Sequence, residues 1–78
     1  MSQMKYDFEL DICGLNCPIP VIKTMNMLTK MKSGNVVKII ATDYDFGRDL
    51  ASLSEQKNCT ILGTEISKNE TVFYLRRN

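Results

Sequence analysis

Three cysteines and no histidine narrow the chemistry this chain can carry. Without an imidazole it lacks the usual general base and the commonest metal ligand, which counts against a Cys-His hydrolase. No metal site is expected from three scattered cysteines alone. What remains is thiol chemistry, and two of the thiols bracket one stretch, Cys13-Gly14-Leu15-Asn16-Cys17-Pro18-Ile19-Pro20. Pro18 suits the first position of a helix, where its fixed φ fits and its missing N–H is no loss. Cys17 then falls at or beside the N-cap, near unpaired N–H groups and the positive end of the helix dipole. A thiol there ionises more readily than a free cysteine, so Cys17 is the candidate nucleophile or group carrier. Gly14 tolerates positive φ and adds no bulk near the sulfur. Pro20 extends the stiff first turn.

The elements that must hold this corner are legible on both sides. Tyr6, Phe8, Leu10 and Ile12 alternate with Lys5, Asp7, Glu9 and Asp11, the period of a half-buried strand. After Pro18, the residues Val21, Ile22, Met25, Leu28 and Met31 keep the spacing of an amphipathic helix. That helix is predicted to run from about Pro18 to Ser33, with Lys30 and Lys32 in its last turn and Gly34 as its C′ residue. Val36–Ala41 is apolar on both faces and suits an interior strand, parallel to the first across a right-handed crossover. Thr42-Asp43-Tyr44-Asp45 offers two N-cap candidates for a second helix built on Phe46, Leu50 and Leu53 and ending near Lys57-Asn58. Residues 59–66 and 71–77 read as strands joined by the polar turn Ser67-Lys68-Asn69-Glu70. The order is βαβαββ, so the expected fold is a two-layer α/β (α+β) sandwich. Two helices would cover one face of a four-stranded mixed sheet.

The chain of 78 residues makes a single domain, 1–78, with no internal repeat or linker. A chain of this size buries roughly 60–65% of its unfolded surface, enough for a modest core. Its net charge of +1 gives no case for stable nucleic-acid binding. No stretch reaches transmembrane length and the first residues lack the apolar run of a signal peptide, so the expectation is a cytoplasmic protein without membrane insertion. Its thiols then matter for reactivity rather than cross-linking.

Asp11-Ile12-Cys13-Gly14-Leu15-Asn16-Cys17-Pro18-Ile19-Pro20 resembles the D-x-x-G-L-x-C-P-x-P signature of the SirA/TusA (YeeD-like) family of small sulfur carriers. Lys23-Thr24, Gly34, Ala41-Thr42-Asp43, Arg48-Asp49-Leu50 and Phe73-Tyr74-Leu75-Arg76-Arg77 extend the likeness along the chain. The resemblance implies the same fold, similar to the C-terminal domain of translation initiation factor 3. It also implies that Cys17 carries sulfane sulfur as a persulfide, with Gly14, Leu15, Pro18 and Pro20 as the supporting loop and helix start. The sulfur would come from a cysteine desulfurase or rhodanese-type donor and pass to an acceptor protein. Routes known in the family are tRNA thiolation, cofactor biosynthesis and sulfur metabolism, and some members work beside a membrane transporter. The chain departs from the pattern at Cys13, Thr42 and Tyr44.

Other residues admit two readings. Cys13 either resolves a Cys17 persulfide or sits passively at the strand end, and the passive reading is preferred because C-x-x-x-C is not a redox spacing. Cys59 reads as small apolar packing. Lys23 adds positive potential or belongs to a solvated helix face. Asp43 caps the second helix or serves the site; Arg48, Arg76 and Arg77 meet an acidic partner or are ordinary charged positions. Met25, Met27 and Met31 read as core filler. The functional reading is a monomeric sulfur carrier with no cofactor, a sulfurtransferase-type persulfide relay for which the word enzyme is partly a matter of naming. Its alternatives are a thiol-disulfide redox module using Cys13 and Cys17, or a non-catalytic regulatory, RNA- or protein-binding module.

Overall fold

Alternation of apolar and charged side chains carries β1 (Phe8–Ile12) and the apolar run carries β2 (Val36–Ala41); helix α1 (Ile19–Lys30) connects them. Helix α2 (Phe46–Gln56) and the hairpin of β3 (Cys59–Ile66) and β4 (Thr71–Arg77) complete the chain. This computed structural model describes residues 5–16, 19–43 and 45–78. The sheet order is β1-β2-β4-β3, with β1 parallel to β2 and the other neighbours antiparallel. The βαβαββ order and the mixed four-stranded sheet are those expected from the sequence.

Both helices pack on one face of the sheet. Val37, Ile39 and Ala41 of β2, Phe73 and Leu75 of β4, Leu28 of α1, Met31 just after it, and Phe46, Leu50 and Leu53 of α2 form one buried cluster. Phe46 meets Phe73 edge-on, ring centroids 5.5 Å apart, the arrangement aromatic quadrupoles favour. Cys59 is buried in the same cluster, as its strand position suggested.

Three local expectations need correction. Helix α1 ends at Lys30, short of Ser33. The Met31 N–H turns back to the Leu28 carbonyl, the Lys32 N–H goes to the Asn35 side chain, and the Arg77 guanidinium donates to the carbonyls of Leu28 and Met31. A cation from β4 thus closes the helix, and Gly34, left-handed at φ 90°, donates to Arg77 O. The buried stripe of α1 is also rotated from the expected one. It runs through Pro20, Thr24 and Leu28, whereas Ile22 and Met25 are exposed. Thr24 can be buried because its hydroxyl donates to the Pro20 carbonyl at 2.8 Å. Finally, Tyr6 leaves the alternation of β1. Asp7 binds the Val36 N–H with its carboxylate and the chain bends there. The Tyr6 ring instead lies against Tyr74 and under Lys38 on the helix-free face.

Candidate functional site

The strand register gathers three loops at one end of the sheet. Ile12 pairs with Ala41, Ala41 with Thr71, and Thr71 with Ile66. The β1–α1 loop, the β2–α2 loop and the β3–β4 turn therefore all leave the sheet at the same end of its strands. In open α/β sheets, the carboxyl ends of parallel strands are where sites form.

The β1–α1 loop begins with a turn in which Gly14 takes φ 80°, the left-handed region that glycine enters without penalty. The Leu15 N–H closes on the Ile12 carbonyl at 3.3 Å and the Leu15 side chain packs against the core. The Ile19 N–H reaches the Asn16 carbonyl at 3.0 Å, tying the loop to the first residue of α1. Cys17 and Pro18 lie outside the described residues, between these two anchors in the chain. Helix α1 has no acidic residue in its first turn, where one would offset the positive end of its dipole.

The second loop holds the first. The Gly14 N–H donates to Thr42 Oγ1 at 2.7 Å. Asp43 in turn starts α2: its carboxylate accepts the Asp45 N–H at 3.1 Å and its carbonyl accepts the Phe46 N–H. Asp45, the other cap candidate, makes no side-chain capping bond.

Cys13 faces acceptors on every side. Its N–H binds Asp11 Oδ1 at 3.0 Å, and its sulfur lies 3.8 Å from both the Ile40 carbonyl and Glu70 Oε2. Hydrogen bonding to Asp11 first, then desolvation and the charges of Asp11 and Glu70, push this thiol up to about 11. The same contacts hold the Asp11 carboxyl below its ordinary value, chiefly through the Cys13 backbone N–H. Cys13 is thus a protonated thiol at neutral pH, a poor attacking sulfur. Beside it, Thr42, Asp43, Gly47, Lys68, Glu70 and Phe73 line a groove of about 480 Å³.

The remaining candidates divide. Pro20 is fully buried, so its role is packing and the stiffness of the first turn. Lys23 is exposed on α1. Arg48 lies on the surface of α2 with Asp45 at 3.8 Å, an exposed pair of little energetic weight. Arg77 serves α1, and Arg76 is exposed with its guanidinium toward Asn78. Met31 is core and Met27 packs against it, but Met25 is exposed. Ile19, Ile22 and Met25, three residues apart, form an outward apolar stripe on α1 directly after the loop.

A family model described as Sulfurtransferase TusA matches residues 8–77. The chain belongs to the TusA family. Within it, a protein from Aquifex aeolicus is 38% identical over 77 residues, covering 99% of this chain but 39% of its own length. The Sulfur carrier protein TusA of Allochromatium vinosum is 30% identical over 73 residues, covering 94% of this chain and 96% of that protein. The crystal structure of a SirA-like protein from Desulfitobacterium hafniense superposes with a TM-score of 0.78 at 21% identity, over 90% of this chain and 96% of that one. That likeness shows the fold alone. Among the described residues no helix is long and apolar enough to cross a membrane.

Sequence reasoning gave Thr42 no role in the loop and gave Glu70 only a turn. Their contacts with residues 13 and 14 bridge 28 and 57 positions of chain, beyond any local pattern. Asp11 carried a readable signal, an Asx residue two positions before an N–H it can accept.

Proposed function

We propose that this protein is a sulfur carrier whose Cys17 holds sulfane sulfur as a persulfide. The observation that carries the reading is the family match over residues 8–77, which includes Cys17-Pro18-Ile19-Pro20 and the loop that delivers it to α1. Cys17 thiolate attacks the terminal sulfur of a donor persulfide. The donor S–S bond breaks, a new one forms on Cys17, and the donor leaves as a thiolate, so no net oxidant is needed. Handover to an acceptor cysteine repeats the step with Cys17 as the leaving group. The positive end of α1 stabilises both the thiolate and the persulfide anion, so no imidazole is required. The donor is a desulfurase- or rhodanese-type protein and the acceptor a second protein, met in the cytoplasm by a monomeric carrier through small, transient interfaces. The exposed stripe Ile19-Ile22-Met25 beside the loop supplies an apolar patch for such contacts. The protonated, acid-flanked Cys13 disfavours the redox alternative.

Cyanolysis tests the reading. After incubation with a cysteine desulfurase and cysteine, followed by removal of the desulfurase on an affinity tag and desalting, the wild type is expected to release thiocyanate in near-stoichiometric amount. Cys13→Ser should match it and Cys17→Ser should release none. Thiocyanate from Cys17→Ser, or none from the wild type with several donors, would overturn it.

A further inference from the structure

Thr42 is where the β2–α2 loop grips the β1–α1 loop. We propose that Thr42 is a positioning residue for the sulfur-bearing cysteine, acting through the backbone of Gly14; the inference rests on the reading of Cys17 as that residue. The 2.7 Å bond from the Gly14 N–H to Thr42 Oγ1 reaches the backbone of this loop from another loop. Gly14 has no side chain, and a Cβ built on it would meet nothing within 4 Å. The backbone bonds from Leu15 to Ile12 and from Ile19 to Asn16 are local to the loop, whereas this one comes from a residue 28 positions away. Thr42 itself is braced on both sides: Ala41 before it is paired to Ile12 and Thr71, and Asp43 after it starts α2. Its hydroxyl has a second merit. It accepts the N–H as a carboxylate would, but brings no negative charge to a loop that must hold a thiolate or persulfide anion. Two acids near the loop, Asp11 and Glu70, lie against Cys13.

The test compares Thr42→Val, which keeps the shape and loses the acceptor, with Thr42→Ser, which keeps the acceptor and loses the methyl group. Two rates are read: sulfur uptake from a desulfurase, and alkylation of Cys17 by iodoacetamide, located by peptide mass. Loss of one positioning hydrogen bond on an exposed loop should slow both in Thr42→Val by about three- to tenfold. Thr42→Ser should stay within about twofold of wild type. Should valine prevent folding, Thr42→Ala takes its place. Equal rates in wild type and Thr42→Val, or a serine variant as slow as valine, would overturn the inference. Failure of the carrier reading looks different: the wild type itself would take up no sulfur while its Cys17 still alkylates.

Discussion

At the scale of single residues, the two cysteines of the loop are set apart by what surrounds them. Cys13 sits among acceptors and carboxylates, which push its folded thiol up from 9.0 to about 11. The native state therefore holds that proton more tightly than the unfolded chain. The resulting stability is fully present below pH 9.0 and is lost as pH rises toward about 11. Over that window the melting temperature of the wild type should fall more steeply with pH than that of Cys13→Ser; equal slopes would contradict the assigned surroundings. The carboxylates that create this environment show the limits of local reading. Asp11 is two residues from Cys13 and its turn is written in the sequence, whereas Glu70 arrives from the far hairpin by way of strand register. Gly14 was legible because a left-handed turn leaves few other choices.

At the scale of elements, period and composition located every helix and strand, and the errors fell where a distant group intervenes. The predicted end of α1 overshot because Arg77, 46 to 49 positions along the chain, closes it at the Leu28 and Met31 carbonyls. Arg77→Met keeps the aliphatic stem and removes both donors, so it should lower stability by about 1–2 kcal/mol, read as a shift in the urea midpoint. No shift would mean that α1 ends without this cap. The apolar stripe of α1 was misplaced because polarity alone ranks Thr24 below Ile22, while its bond to the Pro20 carbonyl lets it be buried. Helix α2 carries a removable weakness. A Cβ at Gly47 would meet the Phe73 ring at 3.5 Å, an ordinary contact. Gly47→Ala should therefore raise stability by roughly 0.5–1 kcal/mol, with a matching rise in melting temperature. A fall would show that the groove beside Phe73 tolerates no added atom.

At the scale of the whole molecule, the mixed sheet brings three loops to one end of its strands, and the helix leaving the first of them exposes an apolar stripe. The βαβ crossover and the hairpin could be anticipated because connection rules leave few topologies. The meeting of the three loops could not, because it depends on which strands become neighbours. If partners seat on the stripe, Ile22→Glu should slow sulfur transfer from the donor severalfold at sub-saturating concentration. With Ile22 at 50% exposure, stability should stay within about 0.5 kcal/mol. Unchanged transfer would move the contact elsewhere. The central claim concerns Cys17 itself, and intact-mass spectrometry after loading, without reductant, tests it most directly. A mass gain of one sulfur atom is expected in the wild type and in Cys13→Ser, lost on reduction and never seen in Cys17→Ser. Loss of two hydrogens requiring both Cys13 and Cys17, or no change with any of several donors, would contradict it.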